Sequence, residues 1–194
     1  ALAKYVIAEK RLKTLNYKHD VVGYSYDSNT AGVQYKSTAL SALKVGVTIA
    51  KKNGKNLSKF IKDLKSKNPS IKIRLMGHSL GAQVILSTIE SLAKNSENNG
   101  IIESVHLFGA SIPANSLSPK IHGNKFQKIV NKKIMNYYSP YDDVLKAAHD
   151  EKWVDSPIGY RGALGTTCKK YHQTQVRPQN HRFASYAKTI KSFP

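Results

Sequence analysis

The sequence predicts an α/β protein: a mostly parallel sheet with helices on both faces, arranged in three layers. Three observations carry that prediction. Short apolar runs of strand character alternate with longer segments whose apolar residues recur at helical spacing. The connections between them are short, as expected where crossover helices join parallel strands. The length of 194 residues, 40% hydrophobic and 22% charged, suits one packed core, so residues 1–194 are read as a single domain.

Each element follows from local pattern. Residues 2–15 contain neither Gly nor Pro and read as a helix. Residues 21–26 read as a short strand and 27–32 as a loop. Leu40, Leu43, Val47 and Ala50 share one helical face, with Asn53-Gly54 as the expected stop. A second helix carries Leu57, Phe60, Ile61 and Leu64 and ends at Asn68-Pro69. Residues 71–76 form the next strand and 82–93 a helix, then come a polar loop over 95–100 and a strand over 101–108. Residues 111–130, broken by Pro113, Pro119 and Gly123, are expected to form a small cap or flap over a site. Residues 134–138 and 171–176 are the remaining strands, and 182–192 the closing helix. In such sheets chemistry collects at the carboxyl ends of the strands. The polar candidates there are Tyr26-Asp27, Ser79, Gly109 to Ser111, and Tyr138 to Asp143.

Charge is the most conspicuous compositional feature. Thirty-one Lys and Arg against 12 Asp and Glu leave a formal net charge of +19. Such an excess attracts nucleic acid, lipid headgroups or acidic substrates. A dedicated nucleic-acid site, however, concentrates arginine with aromatic stacking partners. Here the lysines are dispersed, and the arginines are Arg11, Arg74, Arg161, Arg177 and Arg182. The surplus is therefore read as a lysine-rich solvated surface. No specific nucleic-acid partner is expected, only weak association with anionic membrane or polyanion. No apolar run reaches the roughly 18 residues of a membrane-spanning helix. A single cysteine, Cys168, excludes an intramolecular disulfide framework and a cysteine-based zinc cluster. With no H-E-x-x-H pattern and no close group of His and carboxylates, neither metal nor cofactor is expected. One cysteine and no visible signal peptide make the cytoplasm the expected compartment.

Gly77-His78-Ser79-Leu80-Gly81 fits G-x-S-x-G. The pattern arises by chance in roughly one chain in fifteen of this length, so context decides. An apolar strand precedes it and an amphipathic helix follows, as a nucleophile elbow requires. The elbow lifts a serine hydroxyl above the sheet. Small residues two before and two after let the backbones cross. The amide of Leu80 is then the expected oxyanion donor, at a helix N-terminus.

A serine needs a base, and the base needs a carboxylate. On such a sheet the chain order is Ser, then Asp or Glu, then His. Asp142 and Asp143 follow the strand at 134–138, whereas Asp150 and Asp155 lie deeper in the loop. Capping of a helix starting at Val144 accounts for either aspartate as well as catalysis does, with one residue for each job. His149 is too near the acid, and His172 falls inside the last strand. His181, just ahead of the final helix, is where the base belongs. His78 is read as a pocket or packing residue and His106 as a satisfied core histidine.

These residues together resemble the α/β-hydrolase superfamily. Within it the likeness is to archaeal lipase/esterase-like hydrolases and a related group of uncharacterised hydrolase-like domains. It rests on Gly77 to Ala82, on Leu107-Phe108-Gly109-Ala110, on Asn136-Tyr137-Tyr138-Ser139 with Asp142-Asp143-Val144-Leu145, and on Asn180-His181 with Ser185-Tyr186. Residues 22–28 resemble the strand that the family places before the elbow strand. The resemblance favours Asp142 as acid and His181 as base. It implies ester hydrolysis by Ser79 through an acyl-enzyme, with a small-molecule or lipid ester as substrate. Tyr26 and residues 111–130 are the expected pocket wall and cap. The family places a strand and an oxyanion loop ahead of its first helix. The chain opens in that helix, so the second oxyanion donor is expected upstream of Ala1 or from another loop. A non-catalytic scaffold that binds anionic lipid or nucleic acid through its lysine-rich surface is the alternative.

Overall fold

A sheet packed by helices on both faces organises the molecule. The computed structural model describes residues 2–26 and 36–194. The elements run α1 (Leu2–Thr14), α2 (Lys36–Lys67), β1 (Ile73–His78), α3 (Gly81–Leu92), β2 (Ile102–Phe108), α4 (Asn124–Ile129), β3 (Val130–Tyr138), α5 (Asp143–Asp150), α6 (Ile158–Arg161), β4 (Tyr171–Gln175) and α7 (Phe183–Thr189). The four strands are parallel and stand in the order β1-β2-β3-β4.

A sheet that always steps the same way through right-handed crossovers carries its crossover helices on one face. Strand residues alternate faces with period two. On the crossover face, Leu75, Val105, Leu107 and Ile134 pack with Leu57 and Ile61 of α2, Ile85 and Ile89 of α3, and Phe126 and Ile129 of α4. On the opposite face, Met76, Phe108 and Tyr137 meet α1 and α7 through Ala8, Phe183, Tyr186 and Ile190. Phe108 and Tyr137, paired across the β2–β3 ladder, stack with ring centroids 4.5 Å apart. The three expected layers, helices on both sides of a parallel sheet, are present.

Three local expectations are corrected. Residues 21–26 are not a strand: Val22 is 78% exposed, and the Tyr24 hydroxyl donates to the Asn53 carbonyl on α2 at 3.0 Å. Strand propensity acts only where a ladder partner is available, and this segment packs on helices instead. Secondly, α2 runs unbroken for 32 residues through Asn53-Gly54. Gly54 lies where α2 packs tightly on α3. A Cβ there would lie 2.5 Å from Ser87 Cβ and 2.7 Å from the Val84 carbonyl oxygen. Its missing side chain serves helix–helix packing, not termination. Thirdly, residues 111–130 are no detachable flap. Ile112, Leu117, Phe126 and Ile129 are completely buried in the main core, and a π-helical turn (Pro119–Gly123) leads into α4. The loop expected at 27–32, with Asp27, lies outside the described residues. Tyr26 packs, partly buried, against the main core.

Candidate active site

β1 runs straight into the elbow. Gly77 and His78 end the strand, Ser79 turns the chain and Gly81 begins α3. Ser79 adopts φ +55°, a left-handed conformation that a side-chain-bearing residue holds only when its surroundings impose it. They do so through main-chain bonds on both sides. Ser79 N–H donates to the Phe108 carbonyl at 3.0 Å, and the Ser79 carbonyl accepts from Ser111 N–H at 3.2 Å. The smallness of Gly77 is required, since a Cβ there would lie 2.6 Å from Ile85 Cδ1 and 3.1 Å from Gly81 C and O. The expectation for Gly81 is not met in the same way: a Cβ there would touch nothing within 4 Å. Leu80 has helical angles at the head of α3, and its N–H has no main-chain acceptor among the described residues.

The structure brings Ser79, His181 and Asp142 into one hydrogen-bonded chain. Ser79 Oγ lies 2.8 Å from His181 Nε2, and His181 Nδ1 lies 2.7 Å from Asp142 Oδ2. A carboxylate only accepts, so Nδ1 carries the proton in the neutral ring, and Nε2 presents its lone pair to the serine hydroxyl.

Asp142 combines the two roles expected of two residues. Its Oδ1 accepts from Leu145 N–H at 3.0 Å and caps α5, while Oδ2 serves His181. Asp143 is exposed on the first turn of α5. Burial raises the Asp142 carboxyl, but the His181 contact, the Tyr186 hydroxyl and the Leu145 amide outweigh it and hold the group below its ordinary range. The turn that delivers Asp142 is tied at Ser139, whose Oγ accepts from Tyr141 N–H and whose carbonyl accepts from Asp142 N–H. The other acids and histidines weighed for these roles stand elsewhere. Asp150 is exposed and paired with Lys146, and His172 is exposed on β4. His149 packs against Tyr160.

Four further residues shape the site: Tyr186, His78, Asn180 and Ser111. The Tyr186 hydroxyl donates to Asp142 Oδ2 at 2.6 Å from a completely buried ring on α7. Its own ionisation is pushed upward, by burial first and then by the adjacent carboxylate. Its sequence signals were its place beside Ser185 after Asn180-His181 and the general need of a buried tyrosine hydroxyl for an acceptor. His78 lies on the histidine side of the site. Its Nε2 donates to the His181 carbonyl at 2.7 Å, which leaves Nδ1 to accept from Lys4 Nζ at 3.3 Å. Burial, then the neighbouring His181 and Lys4, push its pKa down to about 3, so the ring is neutral. Asn180 Oδ1 accepts from Arg182 N–H and Ser185 Oγ and so fixes the turn carrying His181. Ser111 Oγ stands 3.4 Å from Ser79 Oγ. His106 is indeed in the core, with Nε2 on Ser104 Oγ at 3.0 Å, but Nδ1 has no partner among the described residues.

Among the described residues no three His, Cys, Asp or Glu side chains converge on a metal-sized site. None of the described helices is long and apolar enough to cross a membrane. The chain is 32% identical over 109 residues to the rice (Oryza sativa subsp. japonica) "Transmembrane and coiled-coil domain-containing protein STS1", a match covering 54% of this chain and 15% of that protein. It is 40% identical over 74 residues to the "Uncharacterized membrane protein F35D11.3" of Caenorhabditis elegans, covering 38% of this chain and 11% of that protein. No solved structure matches the chain. Neither relative's name states a hydrolytic activity. Residues 34–158, which include Ser79 and Asp142 but not His181, match a family model described as "Protein of unknown function (DUF726)", and the chain belongs to that family.

Proposed function

We infer that the chain is a serine hydrolase of α/β-hydrolase type that cleaves carboxylic esters through an acyl-enzyme. The observation that carries this reading is the Ser79–His181–Asp142 chain, at 2.8 and 2.7 Å, with the serine on a strained strand-to-helix turn. Ser79 Oγ attacks the acyl carbonyl while His181 Nε2 takes its proton. The Leu80 amide donates to the oxyanion that forms, aided by the α3 N-terminus. Collapse expels the alcohol, which receives the proton from His181. Water, activated by the same nitrogen, then releases the acid and restores Ser79. Asp142 keeps the imidazole in the useful tautomer and stabilises its charged form. The membrane-protein names of the two relatives fit an ester drawn from lipid.

The test is labelling by a fluorophosphonate probe, read by mass spectrometry. The probe is expected on Ser79, and Ser79→Ala is expected to lose both labelling and ester cleavage. A folded protein that resists the probe would sink this reading. Salt-sensitive binding to anionic vesicles that survives Ser79→Ala would then favour the lysine-rich scaffold.

A further inference from the structure

The apolar face of α2 is longer than the core it packs against. Positions 40, 43, 47, 50, 54, 57 and 61 follow one another at helical spacing. The lower part, Ala50, Leu57 and Ile61, is buried in the core. The upper part is not: Leu40 is 41% exposed, and Leu43 and Val47 are half-buried. These three residues line a groove of about 390 Å³. Pro113, Trp153 and Val154 line it as well, and Lys44, Thr48 and Asp155 also border it. That volume lies within the range of small-molecule sites, which are mostly apolar with a few placed polar groups.

The groove adjoins the nucleophile. Ser111 lines it, and Ser111 Oγ lies 3.4 Å from Ser79 Oγ. Gln83, on the first turn of α3, lines it too, and its Nε2 donates to the Ser111 carbonyl at 3.3 Å, holding that corner. An acyl group attached at Ser79 thus has, next to Ser111, a groove with apolar residues in its lining.

We propose that this groove binds the acyl chain of the ester, which makes the substrates aliphatic esters with chains well beyond acetyl. The proposal rests on the hydrolase reading for its chemistry, but the binding site can be tested without it. Trp153 is the single tryptophan of the chain, so its emission reports occupancy of the groove. The probe is n-decanol, a neutral alkyl chain that the lysine-rich surface does not attract. In Ser79→Ala protein, n-decanol is expected to shift Trp153 emission to the blue with saturation. The shorter n-butanol should bind at least tenfold more weakly, since each methylene buried is worth roughly fourfold in affinity. Val47→Phe, which fills the groove, should weaken n-decanol at least tenfold. An unchanged emission, or equal n-decanol affinity in folded Val47→Phe protein, overturns the proposal.

The second readout is chemical. The parent protein is expected to prefer p-nitrophenyl decanoate over the acetate by at least tenfold in kcat/KM, and Val47→Phe should erase that ratio. Hydrolysis with no chain-length preference overturns the groove and leaves the hydrolase reading standing. A saturable n-decanol response with no hydrolysis of either ester supports an alkyl site and overturns the hydrolase reading.

Discussion

Tyr186 reaches Asp142 because residue 109 has no side chain. A Cβ on Gly109 would stand 2.9 Å from both Cζ and the hydroxyl oxygen of Tyr186. The same glycine turns the chain after β2 with φ +48°, a conformation that costs other residues strain. Gly109→Ala is therefore expected to destabilise the protein by about 1–3 kcal/mol, combining backbone strain with ring displacement. Urea denaturation measures the loss. A variant as stable as the parent would show that α7 yields freely and that the fit is unimportant.

Removing the Tyr186 hydroxyl separates packing from electrostatics. Tyr186→Phe keeps the ring and deletes one of the donors that hold the Asp142 carboxyl down. Asp142 becomes more basic and stabilises the protonated His181 more strongly. The acid limb of the kcat/KM profile should then move to higher pH. A lower rate with an unmoved limb would make Tyr186 a purely structural residue.

The two oxygens of Asp142 can be tested apart. Asp142→Asn keeps an acceptor for Leu145 N–H, so α5 stays capped, but it no longer supplies a carboxylate to His181. Its expected phenotype is a fall of about 10⁴ in kcat, from the wrong tautomer, with little change in stability. Asp142→Ala should lose the cap as well, at a further cost of about 1 kcal/mol. Comparable thermal midpoints for the two variants would remove the capping role.

Two buried histidines make the fold acid-sensitive. His106 is completely buried, and burial, with Lys133 and Arg74 nearby, pushes its pKa down to about 3, as for His78. The unfolded chain protonates these rings near pH 6.5 and the folded chain does not, so ν is larger in the unfolded state and stability falls as pH drops. The loss begins below pH 6.5 and continues toward 3, at about 1.4 kcal/mol per pH unit for each ring. His106→Asn should reduce the slope of unfolding free energy against pH by about one proton. An unchanged slope between pH 6 and 5 would place a proton on His106 in the folded state.

Gly54 sets helix propensity against packing. In an exposed helix, Gly→Ala gains about 1 kcal/mol. Here the added methyl meets Ser87 and the Val84 carbonyl across the α2–α3 contact, and overpacking costs about 1–3 kcal/mol. Gly54→Ala should therefore lower the thermal midpoint. A rise would mean that α2 shifts to make room.

Local pattern carried much of the reading. The strand-to-helix elbow, the helical apolar faces and the parallel alternation are written in windows of five to eighteen residues, so composition and period reveal them. His181 and the Asp142-Asp143 pair could be narrowed to a few positions by chain order and by the scarcity of acids. Contacts across long sequence separations were beyond that reach. Gly54 reads as a helix stop until Ser87 is seen against it. Residues 21–26 read as a strand, yet no edge of the sheet takes them up. Residues 111–130 read as a flap because prolines interrupt them, although Leu117 and Phe126 are core. Asp142 meets Tyr186 across 44 positions, and Ser79 meets His181 across 102. The sequence by itself determined which residue types could do chemistry and which segments could become strands or helices. Tertiary structure decided which aspartate faces the histidine, which tyrosine steadies it and where an apolar helix face runs past the core toward Ser79. Those outcomes depend on the shape of packed surfaces, which no single window of sequence contains.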